Sequence, residues 1–99
     1  MIKLEAGNVL LKPSSRRQLM GWLRRPARLG HRLGNFDLTI TLSRVGNQLE
    51  AVALVRDRAG GFTCRSRRQR DVRYAMRDLI RGITTQLHLQ SLRQLAQAA

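Results

Sequence analysis

The chain has 99 residues, enough for one domain with a modest core, and its apolar share of 42% with only 4% aromatics predicts that this core is aliphatic. Nineteen basic residues stand against six acidic ones, a net charge of +13. Such a field opposes folding unless a polyanion accompanies the protein, so a nucleic-acid partner is favoured, with a solvated charged face or an anionic membrane surface as the plainer alternatives. No stretch approaches the roughly 18 apolar residues of a membrane span, and no apolar run near Met1 reads as a signal peptide. A soluble, cytoplasmic protein with no membrane partner is expected. The lone Cys64 permits no internal disulfide.

In chain order, MIKLEAG alternates apolar and charged residues and predicts a first strand that ends near Gly7. Pro13 closes the connection, and Ser14 or Ser15 is placed to cap a helix. Leu19, Met20, Trp22 and Leu23 supply its apolar side, whereas Arg16, Arg17, Arg24, Arg25 and Arg28 project elsewhere. Pro26 either kinks this helix at Arg25 or restarts it as the first residue of a second piece, which Gly30 weakens and Gly34 ends. Phe36, Leu38, Ile40 and Leu42 alternate with Asp37, Thr39 and Thr41, the cleanest strand signal in the chain. A turn at Gly46 and Asn47 leads into LEAVALV, which is apolar on both faces and therefore expected in the middle of a sheet. DRAGG, residues 57–61, supplies the next turn, and Phe62, Cys64 and Ser66 alternate with Thr63, Arg65 and Arg67 in another strand. From Asp71, a plausible cap, the period becomes helical: Val72, Met76, Leu79, Ile80, Ile83 and Leu87 share a face that runs towards Leu95.

The resulting order, β-α-β-β-β-α, predicts an α+β two-layer sandwich: a four-stranded sheet with two helices packed on one face. Thr39, Thr41, Thr63, Arg65 and Arg67 are expected on the open sheet face, making it polar and cationic. Seven arginines fall within residues 65–81. Arg73, Arg77 and Arg81 are spaced by four, which aligns like charges that repel on an isolated helix. Arg65, Arg67, Arg68 and Arg70 precede them at a strand end and helix entry, where backbone amides also suit an anion. These seven, with Arg16, Arg17, Arg24, Arg25 and Arg28 as a second patch, are the candidate RNA-binding residues. Arginine's planar fork matches phosphate oxygens and stacks on bases. A solvated face with Asp71 and Asp78 as local ion-pair partners is the plainer reading of any one of them. Trp22 sits among core residues, Tyr74 between Arg73 and Arg77 is a candidate contact, and contact with the RNA backbone rather than its sequence is expected.

No catalytic, metal or cofactor site is predicted. His31 and His88 are isolated, and Glu5, Asp37, Glu50, Asp57, Asp71 and Asp78 show no paired or metal-ligand spacing. A pairing of Cys64 with His31 or His88 is the sole nucleophile arrangement conceivable.

Residues 71–87, DVRYAMRDLIRGITTQL, resemble the second helix of the ribosome hibernation-promoting factors, also called ribosome-associated inhibitors or sigma-54 modulation proteins. Asp71, Ala75, Leu79, Gln86 and Leu87 coincide with that family's pattern, Val72, Met76, Ile80 and Ile83 are conservative, and FDLTITL looks like its middle strands. Tyr74 stands one place later than the family's tyrosine, and Arg77 and Arg81 occupy positions that are acidic there. The resemblance, to the short form, implies binding to the small ribosomal subunit and its rRNA, in the channel for messenger and transfer RNA, and silencing of idle ribosomes. It implies no enzyme activity and no small-molecule substrate, and a monomer is expected when free. The same ordering also admits a structured or double-stranded RNA-binding module unrelated to ribosomes, or a protein-protein adaptor.

Overall fold

The computed structural model describes residues 2–32, 36–57 and 60–98. Its elements are β1 (Ile2–Glu5), α1 (Pro13–Trp22), α2 (Arg24–Arg32), β2 (Asp37–Val45), β3 (Gln48–Asp57), β4 (Gly60–Arg65) and α3 (Val72–Ala98). The strands form one sheet in the order β1-β2-β3-β4. β1 runs parallel to β2, which requires a long crossover, and the segment carrying α1 and α2 supplies it. β2, β3 and β4 form the expected antiparallel meander.

Alternation decides which sheet face is covered. Leu4, Leu38, Ile40, Leu42, Ala51, Ala53, Val55 and Cys64 all point to one side and are buried there against the helices. α3 meets them with Ala75, Met76, Leu79, Ile83 and Leu87, each fully buried at helical spacing. Leu19, Leu23 and Ala27 add α1 and α2 to the same cluster. The α+β sandwich is therefore the observed architecture, with its helices on one face.

Among the described residues it has three helices rather than two. In a continuous helix the Pro26 ring would strike the Trp22 carbonyl four residues back, and the helix ends at Trp22. Leu23, buried in the core, is the pivot: its amide turns back to the Met20 carbonyl while its own carbonyl accepts the Ala27 N–H. Pro26 is thus the third residue of α2 and not its first, within the turn where a missing N–H is harmless. Neither serine caps α1. Its cap position is Lys12, with no side-chain cap bond, and Pro13 starts the helix with its pre-set backbone angle.

Gly30, which reads as a helix weakness in sequence, has a packing role: a Cβ there would collide with the Phe36 ring. The expected stop at Gly34 and the tip of the turn at Arg58 and Ala59 lie outside the described residues. Gly60 and Gly61, expected in that turn, already pair with Asp57 and Arg56 as the start of β4. Gly46 takes φ +64° and Asn47 stays at negative φ, the glycine-first pattern of a tight hairpin turn between β2 and β3. At Asp71 the expectation holds: its Oδ1 accepts the Arg73 N–H at 2.9 Å and caps α3.

Where β4 ends, the strand takes in one extra residue. Val52 pairs with Arg65, but Leu49 pairs with Gln69, so three steps on β3 oppose four on the other chain segment. Ser66 fills the irregularity: its Oγ accepts the Ala51 N–H at 2.9 Å and donates to the Arg67 carbonyl. Beyond this bulge the chain leaves the alternation of β4 and heads for α3.

Candidate nucleic-acid interface

On α2, residues 25, 28, 29 and 32 fall on one face by helical spacing; on α3, residues 80, 81, 84, 85 and 88 do the same. The two faces border a shared groove of about 740 Å³. Trp22, Leu29 and Ile80, half-buried against the core, give it an apolar floor. Arg25, Arg28, Arg32 and Arg81 line its sides, with Thr84, Thr85 and His88 between. No carboxylate borders it, for a reason visible in the chain: α1 and α2 contain no acidic residue, and α3 contains none after Asp78. One turn before Arg81, the Arg77 guanidinium lies 5.5 Å from the centre of the Trp22 ring, within cation–π range. Trp22 is thus a core-edge residue, with its ring shared between the core and an arginine.

This groove adjoins two others through shared side chains. Arg28 also borders a hollow of about 670 Å³ between β1, α1 and α2, together with Arg16, Arg17 and Arg24. Arg81 also borders a hollow of about 400 Å³ between the outer edge of β4 and α3, together with Arg65 and Arg67. The result is one cationic path across the helical layer from the β1 edge to the β4 edge. Among the described residues the single carboxylate lining it is Asp78, whose Oδ2 already accepts the Arg67 N–H at 2.6 Å.

The structure sorts the twelve candidate arginines unequally. Arg17, Arg24, Arg25, Arg28, Arg67 and Arg81 line the path and have no carboxylate partner among the described residues. Arg16 lines it too, but donates to the Leu4 carbonyl at 2.7 Å and ties α1 to β1. Arg65 and Arg68 reach the same Glu50 carboxylate, at 2.8 and 3.7 Å. Arg73 bends back to Asp71 at 3.2 Å. The expected row of Arg73, Arg77 and Arg81 is accordingly split three ways: one on its cap residue, one on Trp22, one on the path. Arg70 is exposed on the segment between β4 and α3, and Tyr74 is 59% exposed and lines none of these three grooves.

Three expectations are corrected. The amide-lined entry to α3 is no open anion site, because the Asp71 carboxylate occupies the Arg73 N–H. That bond, with the Arg73 side chain next, holds the Asp71 carboxyl below the usual carboxylate range, and Asp71 in turn raises Arg73. Arg67 does not join the open sheet face; past the bulge it turns towards α3. That face is not cationic either: strand register sets Lys3, Arg56 and Arg65 among Glu5, Asp37 and Glu50, around Val52 and a 43% exposed Leu54. LEAVALV is central in the sheet but buried on one face only. Arg32 and His88 were missed from sequence. Arg32 had a signal, lying seven residues after Arg25 and four after Arg28.

Cys64 is buried beneath Gly82, and burial pushes its thiol pKa up, the opposite of nucleophile activation. His31 packs edge-on to Phe36, and His88 lines the α2–α3 groove, so neither forms the conceivable pairing with Cys64. Among the described residues no three His, Cys, Asp or Glu side chains gather to hold a metal ion.

Solved structures share this architecture, among them the following two. The N-terminal domain of Protein Y from Thermus thermophilus superposes with a TM-score of 0.70 at 20% identity, covering 86% of this chain and 91% of that one. The chain has its fold. A ribosomal subunit interface protein from Coxiella burnetii gives a TM-score of 0.68 at 16% identity, covering 92% of this chain and 97% of its own. The fold implied by the resemblance over residues 71–87 is therefore the fold found. No family model matches the sequence, and no curated protein matches it. Among the described residues no helix is long and apolar enough to cross a membrane.

Proposed function

We propose that this protein is a non-enzymatic RNA-binding protein that associates with the ribosome, occupying the messenger and transfer RNA channel of the small subunit so that idle ribosomes are inhibited or protected. The observation that carries the reading is the cationic path over the helical layer, joined at Arg28 and Arg81 and short of carboxylates. A polyanion relieves the mutual repulsion of those arginines, which no partner among the described residues does. The second support is the fold shared with a ribosomal subunit interface protein and with Protein Y.

The residues proposed for RNA contact are the path arginines first, Arg17, Arg24, Arg25, Arg28, Arg67 and Arg81, with Arg16, Arg65 and Arg77 beside them. Arg68, Arg70 and Arg73 contribute less: none of them lines the path, and Glu50 and Asp71 engage Arg68 and Arg73. If about six phosphates are neutralised, affinity falls by roughly three decades between 50 and 200 mM salt. The decisive experiment sediments the protein with purified small subunits through a sucrose gradient at both salt concentrations. Co-sedimentation at the lower salt and release at the higher is expected. Equal binding to a plain RNA duplex of matched length would move the reading to a general structured-RNA module, and a protein complex that survives nuclease and high salt would move it to an adaptor.

A further inference from the structure

We infer that the α2–α3 groove receives one unpaired nucleotide of the bound RNA, its base on the floor and its flanking phosphates on the arginine rim. This rests on the RNA-binding reading and extends it, because a path for phosphates alone needs no apolar floor. The groove has one: Trp22, Leu29 and Ile80 lie between the two helices, and its volume of about 740 Å³ falls within the range of roughly 300–1,000 Å³ usual for small-molecule sites. Its lining holds the kinds of group that a nucleotide engages. Apolar surface lies at the bottom, the hydroxyls of Thr84 and Thr85 and the imidazole of His88 lie along α3, and Arg25, Arg28, Arg32 and Arg81 supply cations. Bases leave the stack most readily at bulges and loops, where aromatic faces and guanidinium planes receive them. The Trp22 ring already receives one flat cation, Arg77, while it also borders the groove. An acidic amphipathic helix suits the site less well. It needs an apolar strip repeated over several turns, and here arginines interrupt the floor at each turn of α2.

Trp22 is the single tryptophan, so its emission reports on the groove directly. Two RNA duplexes of equal length, one perfect and one with a single-nucleotide bulge, are titrated against the full chain, with binding read by anisotropy of the RNA and quenching read at Trp22. The bulged duplex is expected to bind on the order of tenfold more tightly and to quench Trp22, the perfect duplex to bind without quenching. Thr84→Phe, which fills the groove, and Trp22→Leu, which removes the ring, should each bring the affinity ratio towards one; Trp22→Phe should restore it. Equal affinities with unchanged Trp22 emission overturn the inference and leave the RNA-binding reading standing. Failure of both duplexes to bind overturns both. Adenosine monophosphate, tripolyphosphate and polyglutamate are the competing probes. Saturation by the mononucleotide as tight as by bulged RNA makes this a free-nucleotide site, and equal displacement by tripolyphosphate or polyglutamate makes it a simple anion site; either result overturns the RNA occupant.

Discussion

The two broad faces of the molecule handle charge in opposite ways. On the open face of the sheet, three bases and three acids interleave by strand register, and Glu50 draws in Arg65 and Arg68. Neighbouring opposite charges on one face stabilise strand pairing, so that arrangement serves the fold itself. On the helical layer, arginines from α1, α2 and α3 converge on shared grooves with one carboxylate among them, and that one is already bonded to a backbone amide. Like charges at helical spacing cost an isolated helix a few tenths of a kcal/mol per pair, so folding alone does not account for them. The charge that matters for a partner is the charge the fold leaves unspent.

The strongest way to break this comparison is to reverse charges on each face in turn. Replacing Arg28 and Arg81 together by Glu should lower RNA affinity by about a hundredfold at low salt and flatten the logarithmic salt dependence by about two units. The matching double reversal of Lys3 and Arg56 on the sheet face should change affinity by less than about threefold, the screened residue of a distant charge. Comparable losses on the two faces, read by RNA anisotropy across a salt series, would remove the distinction.

A second test concerns the scaffold beneath the cationic layer. Gly30→Ala drives a methyl group into the Phe36 ring and should cost about 1–3 kcal/mol of unfolding free energy, whereas Gly21→Ala meets open space and should be neutral or stabilising by up to about 1 kcal/mol. Urea midpoints of the two variants give the contrast directly. Smaller still, Asp71→Ala removes the cap of α3 and should cost about 1 kcal/mol near neutral pH. Because the folded-state pKa of Asp71 is depressed, chiefly by the Arg73 N–H, its contribution is complete above the unfolded value of about 4 and is lost as pH falls through the lower folded value. The gap between Asp71→Ala and the parent should therefore close in acid, and a gap that widened there would contradict the assignment. Least of all, Glu50→Gln keeps the side chain's volume, and because its arginine partners are 69% and 59% exposed the lost ion pairs should cost under about 1 kcal/mol, while releasing Arg65 and Arg68 and raising RNA affinity slightly.

Much of the fold was legible along the chain because it rests on periodicity. The alternation of Phe36 to Leu42 and the helical rhythm from Val72 to Leu87 each name a buried face without reference to anything distant. Pro26 announced a break, but its exact position depended on a carbonyl four residues upstream and on Leu23 filling the core. The candidate site was legible as a class of side chain and less so as a surface. Seven arginines crowd residues 65–81, yet three of them are engaged by Glu50 or Asp71, and Arg32, outside that run, lines the α2–α3 groove.

What the chain determined by itself was local: which residues alternate, that Asp71 caps α3, that the first helix breaks near Pro26, and that a net charge of +13 is carried mostly by arginine. What only tertiary structure decided was which cations share a surface and which have company. A one-residue bulge turns Arg67 from the sheet to α3, cross-strand register gives two arginines to one glutamate, and the packing of α2 against α3 assembles a groove from residues 48 to 66 positions apart. Coulombic interactions and burial depend on separation in space, and separation along the chain does not encode it.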